Sequence, residues 1–100
     1  MTTHIVYVTH SSKKNASSIV DKLLSKKLIA CATIFSVDSY YIWKDKRQIG
    51  KEWVTLLKTN KPKVVERAVL KIHPYDVPCI LSWKVKANTS YDAWVKSSCK

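Results

Sequence analysis

The stretch that decides the fold is CATIFSVDSYYIW, Cys31 to Trp43. It is rich in β-branched and aromatic residues and has no helical period, so it reads as extended chain. KDKR (Lys44–Arg47) breaks it, and IGKEWVTLLKT (Ile49–Thr59) resumes the extended character. The two arms form a hairpin. Its turn lacks the Asn-Gly or Asp-Gly of a tight type I′ connection, which predicts a longer loop. The arm from Ala32 to Trp43 has twelve residues and spans roughly 40 Å at about 3.3 Å per residue. A 100-residue domain has a radius of gyration of about 13 Å, so the hairpin overhangs its own domain. A projecting ribbon that carries Tyr40, Tyr41, Trp43 and Trp53 exposes unpaired backbone and apolar surface. Pairing with another subunit covers both and predicts an obligate oligomer; a bulge or bend that folds the hairpin back is the alternative.

HIVYVTH (His4–His10) reads as a strand. SSKKN (Ser11–Asn15) supplies helix caps. Ala16, Ile19, Val20, Leu23, Leu24 and Leu28 then recur at helical spacing. Pro62 suits the first position of a second helix, with Val65, Ala68, Val69 and Ile72 on its apolar side. HPYDVP (His73–Pro78) stops that helix, because each proline disfavours helix in the residue before it. CILSWKVKA (Cys79–Ala87) alternates, with Cys79, Leu81, Trp83 and Val85 on one face. NTS (Asn88–Ser90) can cap a short third helix bearing Tyr91, Trp94 and Val95. The order is β-α-β-β-α-β-α. It predicts an α+β fold, a ferredoxin-like α/β sandwich plus a C-terminal helix, with an antiparallel sheet and helices on one face. No repeat or linker divides the chain, so residues 1–100 read as one domain.

Eighteen basic residues against seven acidic give a net charge of +11, which raises nucleic acid or an anionic membrane as a partner. Only Arg47 and Arg67 are arginines, and the lysines are spread along the chain; specific recognition of bases and phosphates favours arginine. EWVTLLKT and HIVYVTH do not match the aromatic signatures of an RNA-recognition motif. What remains is a solvated lysine surface with, at most, nonspecific and salt-sensitive polyanion binding. No apolar run approaches the roughly 20 residues of a membrane span, and MTTHIVYVTH does not read as a signal peptide. Cys31, Cys79 and Cys99 are widely spaced and odd in number, as expected for free thiols in the cytoplasm. Gly50 is the only glycine, so there is no glycine-rich phosphate loop, and HExxH and GxSxG are absent. An enzyme is not expected.

The densest chemistry lies in KIHPYDVPCI, Lys71 to Ile80. His73 and Cys79 flank two rigid prolines that can aim imidazole and thiol at one point. Glu52, on the facing hairpin arm, adds a carboxylate, and such a set suits copper or zinc. On the structural alternative, Pro74 and Pro78 only turn the chain, Tyr75 packs, His73 caps the helix, and Cys79 is a buried thiol. Lys58, near the hairpin base, either binds a small anion in a cleft between subunits or extends to solvent. Lys58, Glu52 and Tyr75 are the candidates for a ligand site; His73 and Cys79 are the candidates for a metal.

LIACATI, SYYIW, GKEWVTLLKT, HPYDVPCIL and SYDAWV follow one another in register from about Ile5 to Val95. Together they resemble the CutA family of divalent-cation tolerance proteins. The resemblance implies a ferredoxin-like fold, a homotrimer whose hairpins reach neighbouring subunits, an assembly similar to the PII signalling proteins, and a link to copper and divalent-metal tolerance without an established catalytic activity. The family usually has a glycine near Asp45, a glutamate where Cys79 stands and, in some bacterial members, a cysteine where Val8 stands. A thiol in place of that carboxylate favours softer metals. Two alternatives to metal or small-ligand binding are a trimer that scaffolds a protein partner and a nonspecific nucleic-acid-binding module.

Overall fold

The computed structural model describes residues 2–100. Its elements are β1 (His4–His10), α1 (Lys13–Ser25), β2 (Cys31–Trp43), β3 (Lys46–Thr59), α2 (Pro62–Ile72), β4 (Ile80–Lys84) and α3 (Thr89–Ser98). The strands form one antiparallel sheet in the order β2-β3-β1-β4. Each crossover, β1-α1-β2 and β3-α2-β4, steps over one strand, which is the expected ferredoxin-like arrangement.

Local chemistry accounts for the helix ends. Ser12 caps α1, accepting from the Asn15 N–H at 3.0 Å. At the other end Lys27 takes a left-handed φ of 57°. The Leu28 N–H reaches Leu23 O and the Lys27 N–H reaches Leu24 O, both at 3.0 Å, a Schellman closure with lysine where glycine is preferred. Pro62 opens α2 as expected. Ile19, Val20 and Leu23 of α1 and Val65 and Val69 of α2 pack on Val6, Val8 and Leu57 of the sheet. Leu24, expected on the apolar stripe, is exposed.

The hairpin departs from expectation at its turn. Only Lys44 and Asp45 lie outside the ladder, and Trp43 pairs directly with Lys46. Both turn residues have positive φ, 52° and 63°, so this is a two-residue type I′ turn built without glycine. The overhang is as expected. β1 pairs with β3 over Trp53–Thr59, whereas Lys46–Glu52 pairs with β2 alone, and the molecule measures 45 × 25 × 20 Å. β4 is shorter than the alternating pattern because β1 begins at His4, the partner of Lys84; beyond it, the Val85 N–H still reaches Thr3 O at 3.1 Å.

Cross-strand partners share a sheet face. The register therefore puts Phe35, Val54, Leu56, Ile5, Tyr7, Leu81 and Trp83 on the face opposite α1 and α2. Phe35, Leu81 and Trp83 are exposed there. α3 meets this face at its end, where Tyr91 Oη lies 3.2 Å from Cys31 Sγ.

Candidate functional site

A cleft of about 690 Å³ opens where the hairpin, the turn after α2 and the start of β4 meet β1. Pro74 ends α2 by holding His73 in extended backbone (φ −78°, ψ 131°). The chain then turns through Tyr75, Asp76 and Val77, which line the cleft with Glu52 of β3 and Cys79. The Tyr75 hydroxyl donates to Glu52 Oε2 at 2.7 Å. Three of the five candidate residues, Glu52, Tyr75 and Cys79, thus lie in one cavity.

His73 stands behind this wall, buried. Its Nδ1 accepts the Tyr75 N–H at 3.2 Å, so the ring proton sits on Nε2, which donates to Thr9 O at 2.8 Å. Both nitrogens are in use, and a metal at Nδ1 has to displace the Tyr75 N–H. Lys58 is on the same face of β3 as Glu52 but six residues along it, roughly 20 Å at about 3.3 Å per residue. It does not line the cleft; its strand neighbours are Cys31 and Ile5. Among the described residues, no three His, Cys, Asp or Glu side chains converge to hold a metal ion.

The residue that sequence reasoning missed is His10. It is 1% exposed and stacks on His73, with ring centroids 5.3 Å apart and planes at 24°. His73 in turn meets Tyr75 edge-on at 4.7 Å. His10 Nε2 lies 2.9 Å from Thr55 Oγ1, and its Nδ1 is buried without a hydrogen-bond partner. The signal was present: Val6, Val8 and His10 alternate along β1 onto the core face.

Burial sets the protonation of this cluster. It lowers His10 from 6.5 to about 4, helped by repulsion from His73 and opposed by Glu52. Burial also pushes the Tyr75 hydroxyl well up, with its bond to Glu52 adding to the effect. The Cys79 thiol is raised first by burial and then by the Glu52 charge, against a hydrogen bond with Thr9. Both influences favour the protonated thiol, which lies beside the Glu52 carboxyl group.

The sequence pattern of CutA1, the divalent ion tolerance protein, matches residues 4–98. The chain belongs to the CutA1 family. The divalent-cation tolerance protein CutA of Thermotoga maritima is 38% identical over 97 residues, covering 94% of this chain and 96% of the relative. The crystal structure of CutA1 from Pyrococcus horikoshii superimposes with a TM-score of 0.93 at 32% identity, over 97% of this chain and 98% of the other. The periplasmic divalent cation tolerance protein CutA of Archaeoglobus fulgidus gives 0.92 at 29% identity, over 96% and 97%. These CutA relatives bear out the resemblance carried by LIACATI through SYDAWV, and their names describe tolerance to cations rather than a catalysed reaction.

Proposed function

We propose that the protein is a homotrimeric CutA that supports divalent-metal tolerance by taking a cation into the cleft, with Cys79 and Glu52 as the groups that face it. The observation that carries this reading is the convergence of Glu52 of β3 with Tyr75 and Cys79 of the connection between α2 and β4 on one cavity. A thiol beside a carboxylate suits copper or zinc; water or another subunit completes the coordination. His73 and His10 hold the Tyr75 turn in place from behind. Two features support the trimer: the open apolar sheet face and the hairpin that projects beyond β1. Three free thiols fit a reducing compartment, and we assign the protein to the cytoplasm, although the Archaeoglobus fulgidus relative is periplasmic.

Calorimetric titration of the reduced protein with zinc tests the site. Binding must remove the Cys79 proton, so below the raised thiol pKa one proton is released and affinity rises by about tenfold per pH unit. Cys79→Ser should abolish both the binding and the proton release. Zinc affinity that is unchanged in Cys79→Ser would overturn the site.

A further inference from the structure

The aromatic wall of the cleft has no role in a thiol–carboxylate metal site. Five of its twelve lining residues carry rings, Trp43 and Tyr41 among them, and these two share a hairpin face with Glu52. The charge of the cleft runs against that of the chain. The protein has 18 lysines and arginines and a net charge of +11, yet none of the 18 lines this cavity, while Glu52 and Asp76 do. Glu52 spends Oε2 on Tyr75, and its other oxygen makes no hydrogen bond among the described residues.

Aromatic side chains with nearby carboxyl groups suit an organic cation. An alkylated ammonium is weakly hydrated and apolar on its surface, so it loses little on leaving water and gains from each ring quadrupole. A compact inorganic cation draws on the Cys79 and Glu52 donors and leaves the ring wall unused. The volume of about 690 Å³ lies within the usual range for organic ligands. We propose that the cleft binds an organic cation, a quaternary or heavily alkylated ammonium, against Tyr41, Trp43 and Tyr75, with Asp76 and Glu52 as counter-charges. The inference rests on the reading of this cleft as the ligand site, open between the subunits of the trimer, and names a second ligand class for it.

The test is titration with benzyltrimethylammonium at fixed ionic strength in the presence of EDTA, with benzyl alcohol as the uncharged control. The ammonium should bind at least about tenfold tighter than the alcohol, and Trp43→Leu should weaken it about fivefold, the loss of one ring face. Asp76→Asn, at an exposed position, should weaken it as well and decides the matter if Trp43→Leu changes the assembly. Equal affinity for the two probes, no binding of either, or binding indifferent to both substitutions would overturn the proposal. The chelator separates it from the metal reading: zinc bound through Cys79 without ammonium binding removes this inference alone, and ammonium binding in a protein that takes no zinc supports it while removing the metal.

Discussion

His10 shows what a single buried side chain does here. Its environment holds it neutral, with a pKa lowered to about 4, while in the unfolded chain it titrates near 6.5. A base depressed in this way favours the folded state at pH values above 6.5, and that stability is lost as pH falls through 6.5 toward 4. At about 1.4 kcal/mol per unit the full effect is about 3.5 kcal/mol. Thermal unfolding at pH 7 and pH 5 should show the loss, and His10→Asn should flatten the slope that His10 contributes; Glu52 and His73, the charged and titratable neighbours, remain in both proteins. An equal slope in the variant would contradict the assignment. At this scale, residues acting on near neighbours were legible: Ser12 as a cap and Pro62 as a helix opener follow from local backbone chemistry. The stack of His10 on His73 was not, because 63 positions separate them and only the register of β1 beside the end of α2 brings them together. Lys58 and Glu52 failed in the opposite sense. They are near in sequence and share a strand face, but extended chain carries them apart.

Among the elements, the hairpin was the most legible and its turn the least. Length and β-branched content identified both arms. The turn was misjudged because Lys44 and Asp45 lack the usual Asn-Gly signature, and yet the strand twist imposes type I′ geometry on them. A left-handed lysine costs about 1–2 kcal/mol, and aspartate less. Asp45→Gly removes that strain with the turn intact and should stabilise the protein by about 0.5–1 kcal/mol against urea; a destabilised variant would show that the Asp45 side chain does more than occupy the turn. β4 was overread because alternation continues past Lys84, whereas a ladder ends where its partner begins. α1 and α2 kept their predicted places, since an apolar stripe has one sheet face to cover, whereas α3, expected on that same face, reaches the opposite one at Cys31.

At the scale of the whole molecule, the sheet is finished on one side only. α1 and α2 cover one face, and Leu81, Trp83 and Phe35 stand exposed on the other. The hairpin extends the long axis to 45 Å with backbone that pairs on one side. An exposed apolar face beside an unpaired ribbon is unstable toward association, and a heterologous contact that closes gives a ring. Chain length alone announced the overhang. The cleft was less legible, because it needs hairpin, turn and two strands in one place, and periodicity reports each element by itself. The proposed trimer takes a cation into its clefts. Native mass spectrometry of the reduced protein, with and without added copper or zinc, tests it in one spectrum. The expected result is a trimer that gains metal in steps up to three equivalents and loses that gain in Cys79→Ser. A stable monomer, or a trimer whose metal uptake ignores Cys79, would contradict it.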